Sequence, residues 1–412
     1  MRLDETNHWW AEKTVREELS PPKKRLLFKT LYEGLFRRQV QVVDGLRRVG
    51  KSTLVYQLIK KLLEERTNPL RILYITFDDP EVRKLGIVGS LKEYTLLTKE
   101  DYRRGRLFLF VDEAQKYPEW VSEVKLLYDN YPNIRIVATG SAGLNLLAEA
   151  KRTLAGRTVY HELKPLNLKE FLMLREIDAD LSKPLLYEDK LKQEFNSFLK
   201  RPFPEIVNEP DESFIRNYVS NAVIEPVLFR DIPREFMDVD VLLVERLVET
   251  FFASPGQYLS VDSLASDLRR AKTTIYKSLF YLEASFLTRR VMNFRPSVRS
   301  ASRKLSRIYA YHPVLTLPYR PSEEKYVENF VMSELNARYY WRENGKEVDF
   351  LVDLTPVEVK YVDVVRKEEI KPLRFFMDKY GSKKGVVLTK SYSGELNGVQ
   401  LVPLWLFCLR DD

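Results

Sequence analysis

The sequence predicts an α/β fold whose first half is a parallel sheet covered on both faces by helices. Three observations carry this. Short, continuous apolar runs alternate with helix-period segments over the first 140 or so residues, the pattern of strands buried on both faces. The first run opens into a glycine-rich loop and then a helix. A later run delivers two adjacent carboxylates to its carboxyl end, where open α/β sheets gather their ligands.

In chain order, the strand QVQVVD (39 to 44) is followed by GLRRVGKS and the helical STLVYQLIKKLLEE. Then come the strands RILYITF (71 to 77) and LFLFV (107 to 111), the helix WVSEVKLLYDNY and the strand IRIVATG (134 to 140). Residues from about 160 to 250 read as helices joined by proline-containing turns such as KRPFPEIVNEP. After SPGQ (254 to 257) a compact helical region follows. Beyond about 322 the pattern is mixed again: the helix EKYVENFVMSELNARY, strands, a helix around EEIKPLRFFMDKY and the strand GVVLT. The pattern breaks the chain into the segments 1–165, 166–245, 246–321 and 322–412.

Composition limits the partners. With 44% apolar and 31% charged residues and no uncharged apolar run long enough to span a bilayer, a membrane role is not expected. The start MRLDETNHWWAEKTVREEL is too charged for a secretory signal. A single cysteine, Cys408, excludes a disulfide framework and a cysteine-rich zinc site, so a cytoplasmic protein is expected. The net charge of +8 is localised: Arg269 to Arg307 holds eleven Lys or Arg and one acid, Glu283. Such a surplus suits a phosphate-facing surface and makes nucleic acid the expected partner. The plainer reading is a solvated or partner-docking face.

GLRRVGKS fits the pattern G-x-x-x-x-G-K-[ST] in the strand, loop, helix setting that the pattern requires. Gly45, Leu46, Arg47, Arg48, Val49 and Gly50 would close backbone amides around the phosphates of ATP. Lys51 supplies a point charge, and Ser52, followed by Thr53 in the first helical turn, has the hydroxyl that ligates Mg²⁺. In LFLFVDEAQ, Asp112 would hold the same Mg²⁺, and Glu113 would orient and deprotonate the attacking water. A solvated strand end is the alternative for Asp112 and Glu113, and the upstream phosphate loop makes it the poorer one. IRIVATG ends in Thr139, Gly140 and Ser141, so a hydroxyl can reach the γ-phosphate. Arg157 in LAGRT is a candidate to neutralise transition-state charge, in its own chain or in a neighbouring subunit of a homo-oligomer; otherwise it is a surface arginine.

GLRRVGKSTL, FDDP, VDEAQKYPEWVSEVK, TGSAGLNLL, LAGR, KPLNLKEFL and RPFPEIV, in that order, resemble a widespread family of archaeal and bacterial ATPases of the AAA+/STAND class. The resemblance covers nearly the whole chain. It implies an amino-terminal helix and a P-loop NTPase parallel sheet over 1–165, a helical lid or linker over 166–245, a winged-helix module over 246–321, and over 322–412 a PD-(D/E)xK nuclease-like domain similar to restriction endonucleases. It also implies Lys51, Ser52, Asp112 and Glu113 as the nucleotide site, Ser141 as sensor and Arg157 at the family's Gly-Arg position. One departure stands at YAYHP (309 to 313), where relatives often have an acid after the aromatic strand.

LSVDSLASDLRRAKTTIYKSLFYLEASFLTRRV reads as two helices and a strand, the order of a helix-turn-helix with a wing. Lys272, Thr273, Thr274 and Lys277 would face DNA, while Ile275, Leu279, Leu282 and Phe286 are core. In the loop FRPSVRSASRKLSR, Arg295, Arg299, Arg303 and Lys304 would lie on phosphates.

EVDFLVDLTPVEVKY (347 to 361) has the order of a PD-(D/E)xK nuclease site: Asp349, a turn, then Glu358 and Lys360 two apart on a strand and so on one face. The acids would hold Mg²⁺, with Glu328 from the preceding helix, and Lys360 would position water. An amphipathic hairpin accounts for the same alternation. Two functions fit: an ATP-dependent nucleic-acid enzyme with a metal-dependent nuclease-like domain, or a nucleotide-switched regulator or scaffold whose last domain only binds.

Overall fold

The computed structural model describes residues 3–141, 153–295 and 306–410. They divide into two compact units, Met1–Pro165 and Leu166–Asp412. No helix among the described residues is long and apolar enough to cross a membrane.

In the first unit, β1 (Val40–Asp44), β2 (Ile72–Thr76), β3 (Leu107–Asp112), β4 (Ile134–Thr139) and β5 (Thr158–Glu162) form a sheet in the order β2-β3-β4-β1-β5. Every neighbouring pair is parallel. The apolar runs become strands because both faces need filling: all of β1 and β3 is buried. Helices α1 (Lys51–Glu64), α2 (Pro80–Thr98) and α3 (Trp120–Asn130) follow the first three strands. In α1 the stripe Leu54, Val55, Leu58, Ile59 and Leu62 is buried, each residue worth about 1.5–3 kcal/mol of burial. Gly86 breaks α2 at φ +68°. The freed amides of Ile87 and Val88 donate to Glu123 Oε2 of α3 at 2.7 and 3.1 Å. Because all strands run one way, Asp44, Asp112 and Thr139 end together on one sheet edge.

The second unit is built on a nine-stranded mixed sheet. Its strands are β6 (Gln257–Leu259), β7 (Thr288–Asn293), β8 (Ser306–Ala310), β9 (Tyr339–Glu343), β10 (Lys346–Val352), β11 (Thr355–Lys360), β12 (Gly385–Thr389), β13 (Gly394–Leu396) and β14 (Val399–Pro403). They lie in the order β13-β14-β12-β11-β10-β9-β7-β8-β6. The sheet therefore runs through residue 321, where the sequence suggests a boundary between modules. The join is the parallel pairing of β7 with β9, Met292 opposite Tyr339 and Asn293 opposite Tyr340. The Asn293 amide clamps it, exchanging hydrogen bonds with the Arg342 backbone at 3.1 and 3.2 Å.

Helices α4 (Leu168–Leu174) and α5 (Glu188–Lys200) stand in the segment expected to be a lid. Their apolar faces share one core with the sheet of this unit: Phe171, Phe195 and Phe198 cluster with Phe330, Leu388 and Trp405. Helices α6 (Val241–Ala253), α7 (Val261–Asp267) and α8 (Lys272–Ala284) precede β7. Ile275, Leu279, Leu282 and Phe286 are buried, as their spacing requires. Helix α9 (Glu323–Glu334) leads into β9, and α10 (Lys371–Tyr380) connects β11 to β12. At YAYHP, buried His312 accepts the Val314 amide at 3.3 Å through Nδ1 and caps the turn Pro313–Tyr319. An imidazole does there what a carboxylate does at other caps.

Candidate functional site

The loop after β1 bends because two glycines take conformations that side chains resist: Gly45 at φ +148° and Gly50 at φ +95°. Arg48 joins them at φ +66°. Buried Leu46 and Val49 anchor the loop, and Arg25 staples it from outside, donating to Val49 O at 2.7 Å and Lys164 O at 2.8 Å. Gly50 caps α1 without a side-chain acceptor, so the first-turn amides and the helix dipole are directed at whatever anion the loop holds. Ser52 and Thr53 lie half-buried in that turn.

Lys51 is 6% exposed, and its Nζ donates to Gly45 O at 3.1 Å and Leu46 O at 2.7 Å. Burial pushes its ammonium below the ordinary lysine value, against the pull of Glu113 and Asp112. Opposite, Asp112 accepts hydrogen bonds from three hydroxyls: Ser52 Oγ at 2.7 Å, Tyr74 at 2.8 Å, and Thr139 Oγ1. Burial raises the Asp112 carboxyl, and the Thr139 and Ser52 hydroxyls work against that rise. Glu113, at φ +54°, turns away from the strand and receives Gln115 at 2.9 Å, Lys116 at 3.0 Å and Ser141 at 3.2 Å. Burial lifts its carboxyl, but Lys51, Lys116 and Arg47 outweigh this and hold it below the ordinary value. It stays an anion.

Lys51, Ser52, Asp112, Glu113 and Ser141 therefore meet at one sheet edge. The paired oxygens of Ser52 and Asp112 fit a small hard cation that also binds phosphate oxygens. Arg157 is elsewhere. Its carbonyl accepts the Val40 amide at 2.8 Å, at the amino end of β1, and its Nε pairs with Asp129 at 2.9 Å. A polar residue at the carboxyl end of an apolar strand is visible in sequence, but Arg157 is set by the strand register of β5, which sequence does not supply. Tyr74 and Arg25 likewise reach the site through strand order and packing that no local pattern carries. Tyr74→Phe removes one donor to a buried carboxylate and is expected to cost about 1.5–3 kcal/mol, read as a lower urea midpoint at unchanged slope.

In the second unit, β10 and β11 pair with Phe350 opposite Val357 and Leu351 opposite Pro356, a register that sets Asp349 across from Glu358 on one face. The Asp349 amide donates to Glu358 at 3.4 Å, and the Val359 amide donates to Asp349 at 2.9 Å. Lys360 Nζ pairs with Glu358 at 3.0 Å. Burial, and then the charge of Asp349, push the Glu358 carboxyl up to about 8. Burial followed by Glu328 raises Asp349, with Arg307 opposing.

Glu328, the third expected metal ligand, is engaged by cations and a hydroxyl. Glu328 Oε1 accepts from Arg307 at 2.8 Å and from Tyr309 at 2.7 Å, while its Oε2 meets Lys325 at 3.0 Å. The Arg307 guanidinium continues to Glu347 and lies 3.7 Å from Asp349. Among the described residues no group of three or more His, Cys, Asp or Glu is arranged to hold a metal ion. The Arg307 guanidinium thus lies between Glu328 and Asp349, while Glu358, across from Asp349, pairs with Lys360. In sequence Arg307 is one more positive charge of the basic segment; its place inside the strand SRIYA is the signal that sets it apart.

Arg299, Arg303 and Lys304 lie outside the described residues. Of the remaining basic segment, Arg270, Lys272, Arg290 and Arg295 pair with Asp240, Asp262, Glu283 and Glu343. Lys277 is exposed on α8 beside Tyr276 and Phe280, which are 56% and 51% exposed.

Residues 37–172 match the family described as AAA domain. Residues 202–316 and 323–407 match two domains of unknown function, DUF8612 and DUF4143. An uncharacterized protein of Methanocaldococcus jannaschii is 26% identical over 365 residues, 83% of this chain and 78% of that protein. One from Haemophilus influenzae is 24% identical over 384 residues, 88% of this chain and 92% of its own length. The structure of AMPPCP-bound DnaA from Aquifex aeolicus aligns at 15% identity over 62% of this chain and 86% of its own, with a TM-score of 0.28.

Proposed function

We propose that the protein binds and hydrolyses ATP at the edge of the first sheet and that its second unit binds nucleic acid under control of the nucleotide state. The observation that carries the ATPase is the meeting of Lys51, Ser52, Asp112 and Glu113 beside the uncapped start of α1. The loop amides and Lys51 hold the phosphates. When bound with the nucleotide, Mg²⁺ supplies positive charge to the phosphate oxygens, and Ser52 and Asp112 are the residues that would hold it. Thr139 and Tyr74 fix the Asp112 carboxylate in place. Glu113, kept anionic by its lysine neighbours, orients a water and takes its proton, and Ser141 holds Glu113 in position. Arg157 has no part in this chain's own site. ATP turnover by the purified protein, lost on Lys51→Ala, is the direct test.

Support for nucleic acid is the basic segment, together with Lys277, Tyr276 and Phe280 on one exposed stretch of α8, since cations track phosphates while rings stack on bases. The partners already on Arg270, Lys272 and Arg290 do not oppose this, because exposed ion pairs are worth about 0–1 kcal/mol and exchange readily. Neutralising Arg299, Arg303 and Lys304 is expected to lower duplex affinity across all sequences and flatten its salt dependence by about one unit of slope per lost contact. An unchanged slope assigns the surface to a protein partner instead. The commitment of Glu328 to Arg307 favours the second reading of the last domain, a binding module rather than a nuclease.

A further inference from the structure

We infer that Arg307 is the resident cation of the carboxy-terminal acid cluster: its guanidinium stands where Glu328, Asp349 and Glu358 would otherwise gather a divalent metal, and the folded protein takes no metal there. This stands independently of the ATPase, which lies in the other unit.

The site is built, not incidental. Arg307 and Glu328 have side chains only 10% and 8% exposed, and Asp349 only 17%. Three carboxylates from two elements surround the guanidinium, Glu328 on α9 and Glu347 and Asp349 on β10. The rings of Tyr258 and Tyr340 flank it at 5.5 and 5.2 Å, and the Tyr258 hydroxyl closes the circuit on Glu347 at 2.6 Å. The backbone is drawn close to make room: a Cβ on Gly256, at φ +83°, would lie 2.8 Å from Tyr309 and 3.0 Å from Glu328. A planar fork of donors that stays charged under all ordinary conditions meets several carboxylates at once, as a metal ion does, which a lysine ammonium does less well.

Charge balance points the same way. The carboxylates of Glu328, Glu347, Asp349 and Glu358 face Arg307, Lys325, Lys360 and, at the rim, Arg342. With the Glu358 carboxyl pushed up to about 8, the cluster carries no negative surplus that calls for a metal. A divalent ion shared by Glu328 and Asp349 would have to expel Arg307 and leave that guanidinium buried without its partners, which is strongly unfavourable. Arg307 also comes from β8, on the far side of the β7–β9 join from β10. The ion cluster therefore ties the two halves of the nine-stranded sheet together, a task that suits a binding module and removes the cation on which phosphodiester cleavage depends.

The test is Mn²⁺ binding by the full-length protein, read by electron paramagnetic resonance and calorimetry without nucleotide. Wild type and Asp349→Asn are expected to bind the same number of ions, because Asp349 holds none. Arg307→Gln, checked for native circular dichroism, is expected to gain one ion per chain that the double variant with Asp349→Asn loses again, while Arg307→Lys gains none. Loss of a bound ion on Asp349→Asn alone overturns the inference, as does a folded Arg307→Gln that binds no additional ion. If Arg307→Gln does not fold, the comparison of wild type with Asp349→Asn still decides.

Discussion

Glu113→Gln is expected to keep ATP bound while turnover falls by about 10²–10⁴-fold, the usual contribution of a positioned general base. The amide preserves the shape of the side chain: its carbonyl oxygen can replace Oε2 and keep Lys116 and Gln115, while its NH2 group faces Ser141, whose hydroxyl can accept, so the loop around it should hold. What disappears is the negative charge that Lys51, Lys116 and Arg47 maintain below the ordinary carboxylate value. Lys51→Ala should act at the earlier step, weakening binding, because it removes a cation aimed at the loop without touching the water. Equal turnover in wild type and Glu113→Gln, measured as phosphate release at saturating ATP, removes Glu113 from its role.

Gly45→Ala is expected to abolish nucleotide binding and to destabilise the first unit. The new Cβ would lie 2.2 Å from the Leu163 carbonyl oxygen. That carbonyl cannot easily yield, since Leu163 is buried and its amide donates to Asp44 O at 2.8 Å. A residue with a side chain held at φ +148° adds strain on the order of 1–3 kcal/mol, before the clash is counted. Urea midpoints and ATP titration should both register the change. A variant with wild-type midpoint and affinity would show that the loop tolerates another path, and the assignment of Gly45 to the cradle would fail.

The readable part of this protein is local. Runs such as LFLFVD announce strands because a strand buried on both faces has no polar side to show. GLRRVGKS announces its loop because sharp bends at positive φ admit few residues other than glycine. Asp349, Glu358 and Lys360 were legible as a same-face group because strand side chains alternate with a period of two. Chemistry carried by neighbours in sequence, or by a fixed period, survives translation into coordinates.

What remained hidden comes from chain segments far apart in sequence. Tyr74 reaches Asp112 across 38 residues and Arg25 reaches Lys164 across 139, contacts that depend on strand order rather than on any local pattern. Arg157 has a motif-like surrounding, yet the register of β5 beside β1 carries it to the amino end of β1, away from Asp112 of its own chain. Arg307 shows the limit most clearly. As a letter it belongs to a basic stretch with an affinity for phosphate. Once β8 takes its place, the same guanidinium lies among Glu328, Glu347 and Asp349, because a buried charge must find opposite charge within the fold. Sequence lists the acids and bases of a chain, but which of them neutralise one another is a matter of distance, and distance is set by packing.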